Sequence, residues 1–292
     1  MDIIAEGFWF TECPRFDHQG ALYFSDVMGH KFCRYTPQDG VSVVDERRFV
    51  GGCVVNEDGL VIYSGIDGLA SYNPQTNRSQ SIETSLDSRE ISSVNDIEAD
   101  SQGNIYGGTI DLGAFERGDL KKPGLIFKID TNGSVTEFGP AGTPNGLAFS
   151  ADGATMYLSE SGEGIFTYDI GADGSIENRT LFAAVEDCDG IALDERGGLW
   201  VGRYLCNELV CYGPRGSVER VLKIPYNSVS SVVFGGDDLK DLYVTGGDLT
   251  EQGTGGVLKL GAEVAGLAPY FSKFSPNSFL PHPLTLWINN FS

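Results

Sequence analysis

One short motif recurs along the chain: a turn carrying Asp and Gly, then a strand ending in an aromatic and small or acidic residues. The copies read DHQGALYFSD (17–26), NEDGLVIYSG (56–65), DSQGNIYGGT (100–109), SADGATMYLSE (150–160), DERGGLWVGR (194–203) and GDDLKDLYVTG (236–246). A second motif follows each copy: KFCRYTPQDG, GLASYNPQTN, GLIFKIDTNG, GIFTYDIGADG, ELVCYGPRG and GVLKLGAE. Self-similarity of this kind marks an architecture whose single unit cannot bury its apolar faces alone. Each unit reads as four short antiparallel strands separated by turn residues.

The units span about 11–49, 50–86, 91–138, 143–185, 187–225 and 228–262. The last shows three clear strands, and residues 2–9 near the N-terminus supply the fourth, closing the ring and removing its sheet edges. The expected fold is all-β, a six-bladed β-propeller over residues 1–273. A β-sandwich with the same turn frequency would not explain the phase of the repeat. Two segments depart from it: a long connection in blade three, IDLGAFERGDLKKPG (110–124), and an uncharged tail, 274–292. Long loops on propeller faces often wall a binding site.

Composition agrees. Glycine fills 39 of 292 positions, about twice the usual share, without low-complexity runs, so it serves turns. A net charge of −21 opposes a nucleic-acid partner. Apolar runs are too short for a membrane span, and MDIIAEGFWF lacks the basic start and apolar core of a secretion signal. Six cysteines without a CxxC pair fit reduced, buried thiols. A cytoplasmic protein is expected, of undetermined oligomeric state.

The turn glycine serves as a ruler for the first strand of each blade, which lines a propeller's channel. Eight residues before Gly20, Gly103, Gly153 and Gly197 stand Glu12, Asn95, Asn145 and Asp189. Gly51 and Ser230 hold the equivalent positions in blades two and six. Residues at one phase share one height around the axis. Two carboxylates facing each other in a desolvated mouth repel, and a divalent cation supplies the missing charge. Any one of these residues alone reads more simply as a turn cap; all four in phase favour a metal site. Hard oxygen donors without His or Cys favour Ca2+, admit Mg2+ or Mn2+, and suit Zn2+ less.

The segments TECPRF, SVNDIEAD, TPNGLAFSADG and CDGIALDERGGLW around these residues resemble the signatures of the SMP-30/gluconolactonase/luciferin-regenerating enzyme family. The resemblance covers roughly residues 8–270. It implies a six-bladed propeller, one divalent metal held by Glu12, Asn145 and Asp189, Asn95 at or beside that metal, and hydrolysis of lactones or related esters. It also makes Asp189 the candidate general base. Sugar-lactonase members often carry Arg two residues before the position of Asn95; here Ser93 stands there, which places aldonolactone specificity in doubt. Some members bring a substrate-binding Glu from the blade-three loop, where this chain offers Asp111, Glu116 and Asp119.

Candidate substrate contacts are therefore Asn95, Ser93, Asp111 and Arg203, the last a surface arginine on the plainer reading. Cys13 and Cys188 adjoin ligand positions, but strand alternation turns them away from the site. Asp96 is expected to bond backbone and fix its strand. The leading functional expectation is a metal-dependent lactonase acting on a small-molecule lactone. Apolar loop residues Leu112, Ala114 and Phe115 suggest a ring less polar than glucono-1,5-lactone. Alternatives are organophosphate hydrolysis on the same site, or a non-catalytic calcium-binding regulatory propeller; phased acids and amides at the channel mouth count against the latter.

Overall fold

Turn chemistry sets the strands. Asp17 Oδ1 accepts from the backbone N–H groups of Gln19 and Ala21, each at 2.9 Å. Asp100 and Asp194 do the same in blades three and five. Gly20, Gly103 and Gly197 close these turns at φ of 79°, 91° and 79°, a region where a Cβ is strained. The Asp and Gly of the repeat thus make the turn, and the apolar residues after them enter the second strand.

The computed structural model describes residues 1–82, 85–86, 89–90, 93–111, 117 and 123–275. Among them the strands form six four-stranded antiparallel sheets and one two-stranded pairing, Ser85–Leu86 with Arg89–Glu90. The innermost strands are Thr11–Phe16, Cys53–Val55, Val94–Ala99, Pro144–Phe149, Cys188–Leu193 and Ser228–Gly235. They succeed one another around a central channel. In the sixth sheet Asp2–Phe8 is the outermost strand, antiparallel to Gly255–Gly261, with Asp2 opposite Lys259 and Phe8 opposite Gly255. The protein is a six-bladed β-propeller closed by its N-terminal strand.

Six apolar clusters, one at each blade-to-blade interface, make the core. Phe32 and Tyr23 of blade one meet Tyr63 and Tyr72 of blade two, and Leu22 and Phe24 meet Val233 and Val257 across the closing seam. Each sheet buries both faces against its neighbours, so no blade has a core of its own. The seam is also hydrogen-bonded: Thr11 Oγ1 donates to the Gly256 carbonyl at 2.6 Å and accepts from Gly246 N–H at 3.1 Å.

After the last blade the chain crosses the face where the inner strands end. Leu267 N–H bonds Leu193 O at 2.8 Å, Lys273 N–H bonds Gly103 O at 2.9 Å and Ser272 N–H bonds Val55 O at 3.0 Å. Phe274 is buried in the interface of blades two and three. This strap ties blades five, three and two together and caps the channel at that end. Residues 276–292 of the expected tail lie outside the described residues. No described helix is long and apolar enough to cross a membrane.

Candidate metal centre and substrate cavity

At the opposite end of the channel the inner strands share an irregularity. Each of blades one, three, four and five carries one extra residue against its partner strand, between Glu12 and Arg15, Val94 and Ile97, Pro144 and Leu147, and Cys188 and Ile191. A bulge bends the strand and re-aims a side chain. In blade one it puts Cys13 at φ 55°. Asn95, Asn145 and Asp189 sit in these bulges and Glu12, paired with Ser25, directly precedes its own; all four line one cavity of about 280 Å3.

Close approach of the inner strands explains the glycines after two of them. A Cβ on Gly146 would lie 2.6 Å from the Cα of Gly190, and one on Gly190 would lie 2.1 Å from Ser231 Oγ. The Asn-Gly and Asp-Gly pairs of blades four and five therefore couple a polar side chain facing the cavity to a backbone that a neighbouring strand can touch. Gly51 serves the same end in blade two, where a Cβ would meet the Asn95 carbonyl oxygen at 2.1 Å.

The four side chains are held differently. Asn95 Nδ2 donates to Pro144 O at 2.9 Å, and Asn145 Nδ2 donates to Ser161 Oγ at 3.3 Å. Ser161 Oγ in turn donates to Cys188 O at 2.7 Å. Asp189 is 3 % exposed, and its Oδ1 is buried without a hydrogen-bond partner. Burial, then the negative charges of Glu12 and Asp96, push the Asp189 carboxyl well above its ordinary range. Burial, then Asp96, raises Glu12 to about 8. Among the described residues no three His, Cys, Asp or Glu side chains converge as a cation cage; the set is two carboxylates and two carboxamides. Buried acids that resist ionisation and an orphaned carboxylate oxygen are the features a bound cation would satisfy, so the residues fit a hard divalent ion.

The other candidates lie apart from the cavity lining among the described residues. Arg203 is committed elsewhere, its Nε to Asp187 and its Nη1 3.5 Å from Glu208. Ser93 acts through its backbone, its N–H bonded to Ile66 O at 2.8 Å and its carbonyl to Ile110 N–H at 2.9 Å. Asp111 is half-buried next to Ile110. Leu112, Ala114, Phe115, Glu116 and Asp119 lie outside the described residues. Ser230, at the same phase in blade six, turns its hydroxyl to Thr11 O and Thr245 Oγ1 instead. Asp96 Oδ1 accepts from Ile97 N–H at 2.9 Å and faces a second cavity deeper in the channel, beside the buried Arg15–Glu98 ion pair at 2.7 Å. Cys13 lines that deeper cavity too, and Cys188 is buried.

What sequence reasoning missed is the rim. Val27, Ile110 and Tyr204 line the cavity, each directly after the second strand of its blade and seven residues beyond the ruler glycine. The same repeat could have located them.

A six-bladed propeller with two acids and two amides lining one mouth of its channel is the class that fold and site define. The chain belongs to the SMP-30/Gluconolactonase/LRE-like region family, whose model matches residues 10–247. It is 25% identical to regucalcin of Xenopus laevis over 286 residues, 91% of this chain and 96% of that protein. It is 29% identical to the pentonolactonase XacC of Haloferax volcanii over 238 residues, 78% of each chain. Among solved structures it superposes on a luciferin-regenerating enzyme with a TM-score of 0.79 at 24% identity, covering 92% of this chain and 97% of that one, a likeness of fold.

Proposed function

We propose that this chain is a divalent-cation-dependent lactonase, opening a cyclic ester to a hydroxy acid. The observation that carries it is the buried, unpartnered Asp189 Oδ1 in a cavity it shares with Glu12, Asn95 and Asn145. The lactonase named among its relatives supports the same chemistry. Glu12, Asn145 and Asp189 would hold the ion, with Asn95 as a direct or water-mediated ligand; the donor set suits Ca2+ best. When bound, the ion supplies Lewis-acid polarisation of the ester carbonyl and offsets the charge that develops on attack.

The chain's own groups do the rest. Asp189 is the candidate base: its Oδ1 takes a proton from the attacking water, whose oxygen adds to the carbonyl carbon. The ring C–O bond then breaks, and the departing oxygen collects the proton as the product hydroxyl. Asn95 and Asn145, tethered through their amide nitrogens, hold their carboxamides in place across the cavity.

Two measurements test this reading. Calcium added to chelated protein is expected to raise its melting temperature, and Asp189→Ala to abolish that rise. A lactone panel followed with a pH indicator is expected to turn over with the ion and stop with chelator. Stabilisation that survives Asp189→Ala moves the ion elsewhere; binding without turnover of any lactone leaves a calcium-binding propeller instead.

A further inference from the structure

We propose that the ring hydrolysed here carries an apolar substituent, alkyl or aryl, rather than the hydroxyls of a sugar lactone. The inference rests on the lactonase reading and concerns the substrate class of the same cavity. Polar and apolar groups are segregated within it. The acids and amides stand on the inner strands and form its floor. The apolar part of the wall above them is built by Phe10, Val27, Met28, Phe49, Ile110 and Leu249, and Thr143, Ser161 and Tyr204 complete it with hydroxyls. The apolar residues come from blades one, three and six and from the segments entering blades one and two, so the apolar surface forms one continuous side of the cavity, opposite the hydroxyl-bearing residues contributed by blades four and five.

Among the described residues no Lys or Arg lines the cavity. Of the lining hydroxyls, that of Ser161 is already spent, donating to Cys188 O and accepting from Asn145. A lactone with a hydroxyl on most ring carbons could meet Thr143 and Tyr204 on one side, but would press its remaining hydroxyls against side-chain carbon on the other. Each would lose water and find no partner, which is the costly half of a hydrogen-bond exchange. An alkyl or aryl group in the same place removes its own apolar surface and that of the wall from water. The floor calls for an ester, and the apolar side of the wall calls for hydrocarbon. At about 280 Å3 the cavity is near the small end of ligand sites, room for one ring and a short chain.

The wall also shows which residues to change. Met28 and Leu249 line the cavity from turns, half-buried, and neither belongs to a blade-interface cluster. The probes are δ-nonalactone and glucono-1,5-lactone, which share a six-membered ring ester and differ in what the ring carries. With Ca2+ present, kcat/KM is expected to favour δ-nonalactone by about tenfold or more, the discrimination a hydrophobic pocket draws from a few methylene groups. The double variant Met28→Gln, Leu249→Ser is expected to shrink that ratio about tenfold through KM for δ-nonalactone, at an unchanged melting temperature. Equal or better use of glucono-1,5-lactone by the unmodified protein overturns the inference and leaves the lactonase reading standing. A ratio unmoved in the double variant also overturns it. Turnover of neither probe sinks both.

Discussion

At the scale of single residues, the site depends on glycines as much as on its acids and amides. Gly146 follows Asn145, and its missing Cβ lets the inner strands of blades four and five pass with a Cβ-to-Cα distance of only 2.6 Å available. The obstacle is backbone, which cannot rotate aside. Gly146→Ala is therefore expected to cost on the order of 1–3 kcal/mol, as overpacking in a tight core does. Gly261 makes the control: a Cβ there meets nothing within 4 Å, so Gly261→Ala should be nearly neutral. Urea denaturation of both variants checks this, and equal midpoints would remove close approach as the reason for the glycine. The four cavity-floor residues were legible in the sequence because covalent repetition fixes height around the axis, so an offset from a turn glycine becomes a position in space. Arg203 was not legible in the same way. Its partner Asp187 lies 16 residues away, and whether a guanidinium faces the cavity or an ion pair is settled by rotamer and neighbour, which a repeat phase does not encode. Ser230 shows the same limit, since its bulge turns the hydroxyl to the seam instead of the cavity.

At the scale of elements, the seam between blades one and six is held by more than the ladder of the closing strand. Thr11, fully buried, donates its hydroxyl hydrogen to the Gly256 carbonyl at 2.6 Å and accepts from Gly246 N–H at 3.1 Å. One hydroxyl thereby fastens the first strand of blade one to two strands of blade six. Thr11→Val keeps the shape and removes the hydroxyl, leaving buried backbone groups without a partner, a loss of about 1–3 kcal/mol. Chemical denaturation is expected to show that drop; a loss below about 0.5 kcal/mol would mean that the apolar seam around Leu22 and Val257 closes the ring without it. The pairing of residues 2–9 with blade six was readable from sequence because a three-stranded unit in a repeat of four leaves one place to fill. The strap over 262–275 was not, since its hold comes from isolated backbone bonds to Leu193, Gly103 and Val55 that carry no periodic pattern.

At the scale of the whole molecule, closure changes how the repeats share stability. In an open array each unit leans on two neighbours and the ends can fray. Here every sheet is flanked on both sides, and the strap links blades that are not adjacent. Opening one blade exposes the apolar faces of two others, so the ring should lose structure as one unit. The cysteines report on this. Cys13 and Cys53 sit between blades one and two, Cys33 at the closing seam, Cys188 between blades four and five, and Cys211 between five and six. All five are buried, whereas Cys206 is half-exposed. Burial also pushes the thiols of Cys33, Cys188 and Cys211 up to about 12, so they carry almost no thiolate at neutral pH and react only once exposed. A thiol reagent is expected to label Cys206 quickly in the native protein and the other five slowly. If the ring opens as a unit, those five share a single rate that rises with urea in step with global unfolding. Separate rates for the thiols of different interfaces would show that blades open one at a time, and that closure does not couple them.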